Sequence, residues 1–91
     1  MVLQHDRFNR TRIATVVVVA VTSKSKYAEL PGNVRLRKGE GGLPRASVVN
    51  VTQVATVDRE LVGPRLGALT AARLAEVWVG VRLVCEPDEL R

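Results

Sequence analysis

The sequence predicts a small, mainly β domain with one C-terminal helix: an antiparallel barrel or half-barrel of the SH3-like kind, its helix packed across one opening. Three observations predict it. The longest apolar run, Ile13 to Val21, is nine residues of mostly β-branched type, stiff at χ1, suited to a strand and far too short to span a bilayer. Shorter β-branched runs follow, separated by Gly- and Pro-containing turns. Only the segment after Thr70 places apolar residues at the three- and four-residue spacings of one helical face.

Taken in order, Val2-Leu3 reads as the tail of an earlier strand, so the chain opens inside an element. Asp6 to Arg12 is a polar, basic connector with Phe8 as its apolar anchor. Ile13 to Val21 lacks polar alternation, which predicts a central strand covered on both faces. Thr22 to Glu29 is a basic loop closed by Leu30-Pro31-Gly32, where Pro presets φ and Gly accepts the positive φ of a type II turn. Val34 to Arg37 alternates apolar and basic, as a half-buried strand does. Lys38 to Gly42 lacks the Gly-Lys-Ser/Thr ending of a phosphate-cradling loop and reads as a hairpin or bulge. Ser47 to Val51 and Gln53 to Val57 form the next strand or strand pair, and Asp58 to Pro64 turns the chain. Thr70 caps a helix whose packed face is Leu74, Val77, Trp78, Val81 and Val84 or Cys85, with Arg73 and Arg82 on the other side. Glu86-Pro87 stops it, and the tail to Arg91 is expected to fray.

At 91 residues the chain fits one domain, expected to span 1–91. Phe8, Tyr27 and Trp78 are its only aromatics, too few for RNA-binding folds that stack several bases on aromatic platforms. The lone Cys85 and lone His5 supply neither a structural zinc site nor a disulfide framework. No metal or cofactor is expected. His5 lacks a visible partner for proton transfer and reads as a bystander. Cys85 reads as a helix-face hydrophobe, and Trp78 as core or dimer packing.

The formal charge of +5 is uneven: residues 1–46 hold nine Lys and Arg against three Asp and Glu, residues 47–91 five against six. A polyanion would therefore meet the first half. Arg7, Arg10 and Arg12 stand on the connector beside the long strand, either as phosphate contacts or as a solvated loop. Met1 to Arg12 contains no apolar run of signal-peptide type. A cytoplasmic protein is expected.

Asp6-Arg7-Phe8-Asn9, the Val-rich strand ending Val21-Thr22-Ser23, Leu30-Pro31-Gly32-Asn33-Val34, Gly41 to Asn50, and Gln53 with Thr56-Val57-Asp58 occur in one order. That order and spacing resemble the MazF/PemK family of type II toxin-antitoxin toxins, from about Val2 to about Val84. The resemblance implies a homodimeric barrel of MazF/PemK/CcdB type, incomplete at its N-terminus here. It also implies metal-independent cleavage of single-stranded RNA, often mRNA, at a short sequence, and a MazE-like antitoxin partner. In the mechanism it implies, the RNA's 2′-hydroxyl attacks the adjacent phosphate. By the same resemblance Thr22 with Ser23 are the catalytic candidates. Arg7, Arg10, Arg12, Lys24, Lys26, Leu30 and Gln53 are the RNA-binding candidates.

The family's catalytic Arg stands in an Arg-Pro pair on a preceding Gly-rich loop, and no Arg-Pro occurs in these residues. Asn50-Val51-Thr52 occupies the place where some members carry Arg-x-Asp. A start assigned too late is one expectation; a shortened, non-catalytic homologue that binds RNA or antitoxin is the other.

Overall fold

The computed structural model describes residues 1–3 and 14–85. Three antiparallel strands, β1 (Thr15–Thr22), β2 (Val34–Leu36) and β3 (Ser47–Asp58), precede one helix, α1 (Ala71–Cys85). The sheet order is β1-β3-β2, and the architecture is a small open barrel with α1 against its core face. No helix among the described residues is long and apolar enough to cross a membrane.

The central position belongs to β3, not to the Val-rich β1. With 12 residues, β3 is long enough to pair with β1 along its length and with β2 over its first part. Beyond β1, Val2 forms one antiparallel bridge to Val18, with Leu3 N–H donating to Val17 O at 2.9 Å. Val2-Leu3 therefore lies alongside β1 on the edge away from β3. Val16 and Val19, which face opposite sides of β1, are buried and its other residues are half-buried, so both faces are covered, each in part. The register slips between Val19 and Ala20, whose partners are Val54 and Asn50. Of the strand or strand pair expected over these residues the structure has one strand, interrupted by that bulge.

Val19, Val34, Leu36, Val49, Val51, Val77 and Val81 form the aliphatic core. The Leu30–Asn33 turn forms as read: Gly32 sits at φ +85° and Asn33 N–H donates to Leu30 O at 3.2 Å. Asn33 then fastens it to the sheet, its side chain donating to Tyr27 O at 2.8 Å and accepting Val51 N–H at 2.9 Å.

The helix begins at its expected cap, where Thr70 Oγ1 accepts Arg73 N–H at 3.2 Å. Its buried face differs from the periodic reading: Val77, Gly80 and Val81 face the sheet, while Leu74, Trp78 and Val84 are 39%, 46% and 42% exposed and Cys85 is exposed. The reason is Gly80. Lacking a side chain, it brings the helix backbone against the carbonyl of Gly32, and that approach rotates the apolar stripe partly out of the core. Arg73 is not on the solvent side either, because it is half-buried against Glu40.

Candidate functional site: a basic groove at the end of strand β1

Thr22 ends β1, and the chain leaves the sheet through Ser23 and Lys24 into a 3-10 turn at Ser25–Glu29. Lys24 N–H donates to Thr22 Oγ1 at 3.2 Å. With its acceptor side occupied, the half-buried hydroxyl keeps its own proton to donate. Ser23, Lys24 and Lys26 are exposed beside it. The Lys26 ammonium lies 5.2 Å from the Tyr27 ring centroid, a cation–π distance that orients it over its neighbour.

Leu30 is 43% exposed at the corner of the following turn. Gln53 is exposed in the β3 bulge, between Asn50 and Val54, whose partners Ala20 and Val19 stand two and three residues before Thr22 on β1. The structure thus sets Thr22, Ser23 and Lys24 together at the end of β1, with Gln53 in the bulge a few residues back along that strand. Arg7, Arg10, Arg12 and His5 lie outside the described residues.

An open groove of about 1060 Å³ begins at this corner. Ser23, Ser25 and Ala28 line it on one side, Arg35 and Arg37 on another, with Ala46 to Val48 between. It continues along the α1 flank past Val79 and Leu83. Of its charged residues, Arg73 is engaged: it donates to Glu40 at 2.8 and 3.0 Å and to Glu76 at 2.9 Å. These bonds, foremost those from Arg73, hold the Glu40 carboxyl well below its usual range, and they raise Arg73 above its own. The positive excess of the groove is left on Arg35 and Arg37.

Such a groove offers hydroxyl donors at one wall and guanidinium donors at another, an arrangement suited to a phosphodiester chain. Sequence reading passed over Arg35 and Arg37 as outward residues of a half-buried strand. The signal that finds them is the strand register, which alternation alone does not supply.

Comparison with known proteins adds independent findings. A sequence profile described as "PemK-like, MazF-like toxin of type II toxin-antitoxin system" matches residues 1–85. The endoribonuclease MazF2 of Mycobacterium bovis and the endoribonuclease MazF6 of Mycobacterium tuberculosis are each 40% identical over 86 residues, covering 94% of this chain and 75% of theirs. Among solved structures, the Mycobacterium tuberculosis toxin MazF-mt6 superposes with a TM-score of 0.83 at 19% identity, covering 98% of this chain and 86% of that one. An endoribonuclease in complex with its cognate antitoxin from Mycobacterial species gives 0.77 at 21%, covering 92% and 76%. At these identities the structural likeness speaks for the fold.

Proposed function

The chain belongs to the PemK-like, MazF-like toxins of type II toxin-antitoxin systems, and from that membership we propose how it acts. It is an endoribonuclease toxin with an antitoxin as partner. Its substrate is single-stranded RNA, mRNA included, cut at a short sequence without a metal. It works in the cytoplasm as a homodimer in which residues 1–91 are one domain. The observation that carries this reading is the family match over residues 1–85.

The chemistry follows from the substrate's own nucleophile. The ribose 2′-oxygen attacks the adjacent phosphorus and loses its proton. The bond from phosphorus to the 5′-oxygen breaks, and that oxygen takes up a proton. A cyclic phosphate and a 5′-hydroxyl result. The protein must steady the charge that builds on the phosphate oxygens, and preorganised donors do this without reorganising at the moment of reaction. Thr22, its proton free to donate, and the exposed Ser23 take that role, with Lys24 supplying charge beside them.

The test is incubation of the chain with single-stranded RNA in a chelator, followed by mapping of the new ends. New 5′-hydroxyl and cyclic-phosphate ends at one recurring sequence, suppressed by the co-encoded antitoxin, are the expected result. Loss of all cleavage in chelator would refute metal independence. Asn50-Val51-Thr52, in the place where some members carry Arg-x-Asp, favours a second reading, a non-catalytic homologue that binds RNA or antitoxin; binding without new ends in the same assay would select it.

A further inference from the structure

Val48 of β3 is the direct antiparallel partner of two residues, Thr22 on β1 and Arg35 on β2. Directly opposed residues project from the same face of a sheet. Thr22 and Arg35 therefore share a face across one central strand, with their Cα atoms about 10 Å apart at ordinary strand spacing. An arginine side chain bridges most of that span. Arg35 and Ser23, the neighbour of Thr22, line the same groove.

Arg35 is also loosely held. Its one ion-pair partner among the described residues is Glu29, with Arg35 Nη2 donating to Glu29 Oε1 at 3.2 Å, and the two side chains are 68% and 81% exposed. An exposed pair with a single contact is weak and readily exchanged for a better anion. A phosphate diester is such an anion, because its paired oxygens match the guanidinium fork. By contrast Glu40 and Glu76 are tied to Arg73, and Glu40 also accepts the backbone N–H of Arg37. Their charge is compensated there and does not oppose an incoming phosphate chain at Arg35.

We propose that Arg35 is a phosphate-binding residue of the RNA groove, set opposite Thr22 and Ser23, and that Glu29 is the anion it releases when RNA binds. The assignment rests on the endoribonuclease reading above and names the cation that β2 supplies to it. Arg37, two residues along and lining the same groove, continues the basic line.

The experiment titrates the full chain into a fluorescently labelled single-stranded RNA whose 2′-hydroxyls are methylated, so that binding is read without cleavage, across a series of salt concentrations. Arg35→Gln should weaken binding about tenfold and lower the salt slope by about 0.7, one phosphate contact on a single strand. Glu29→Gln should do the reverse, tightening binding about two- to fivefold by removing the competitor. A merely structural Arg35–Glu29 pair would weaken binding in both variants or in neither, and either pattern overturns the assignment. If the unaltered chain binds the RNA while both variants match it, the Arg35 assignment fails and the RNA reading stands. If the unaltered chain neither binds nor cleaves RNA, both fall together. Circular dichroism of each variant separates loss of binding from loss of fold.

Discussion

The carboxylate of Glu40, in the turn between β2 and β3, takes two hydrogen bonds from the guanidinium of Arg73, at 2.8 and 3.0 Å, in the first turn of α1. It also accepts the backbone N–H of Arg37 at 2.9 Å. One side chain thus fastens the hairpin turn, the end of β2 and the helix to one another.

A pH dependence follows. Hydrogen bonding from Arg73, then from the Arg37 backbone, lowers the Glu40 carboxyl from 4.5 to about 2. Because the folded value is the lower one, the stabilisation is fully present above pH 4.5 and is lost as pH falls toward 2. The melting temperature of the unaltered chain should therefore drop across this window. That of Glu40→Gln should start lower and vary less, and parallel pH curves would show that the clamp contributes nothing.

Gly80→Ala should destabilise the fold even though alanine is the better helix former. The propensity gain is about 1 kcal/mol. Against it, the added methyl would be driven into the Gly32 carbonyl, a backbone group that cannot swing aside, and overpacking costs about 1–3 kcal/mol. Denaturant titration showing equal or greater stability would mean that the helix lifts off the turn without loss.

Thr22→Ala should lower the cleavage rate by about a hundredfold, the scale of losing one preorganised donor, with little change in melting temperature. The hydroxyl's one hydrogen bond among the described residues comes from Lys24 N–H at the exposed start of a loop. A rate unchanged by the substitution would leave Thr22 as a strand end only.

Leu74 and Trp78, about one turn apart, are 39% and 46% exposed on α1, an apolar surface that a homodimer would cover. Trp78→Glu should convert a dimer into a monomer in light scattering at about tens of micromolar. A monomeric unaltered chain would count against the dimer itself.

Strand and turn identities were legible because their causes are local. β-branched runs, Pro31 with Gly32, and Thr70 each act within a few residues, and all three appear where the sequence places them. The buried face of α1 was not legible, because the residue that sets it is Gly80, which carries no hydropathy signal and acts by letting two backbones meet. The central strand was misassigned for a related reason: the Val content of β1 reports propensity, whereas centrality is decided by which strand is long enough to hold two partners. At the site, Thr22, Ser23 and Lys24 were legible as neighbours in sequence. Arg35 was not, since its place opposite Thr22 depends on Val48, thirteen residues downstream of it and twenty-six downstream of Thr22.

The uneven cover of β3 gives one strand two lifetimes. From Ser47 to Val51 it is buried, pairing with β2 over Ser47 to Val49 and with β1 over Val48 to Asn50, whereas from Thr52 to Thr56 it is exposed and pairs only with β1, from Val54 on, among the described residues. The bulge between them interrupts the ladder, so fraying that starts at the Asp58 end can stop there. Amide protons of Val48 to Val51 should then exchange only through global opening, while those of Val54 to Thr56 exchange through cheaper local events. The half that persists is the half holding Val48 between Thr22 and Arg35, so the groove keeps its shape while the far end of its own strand breathes.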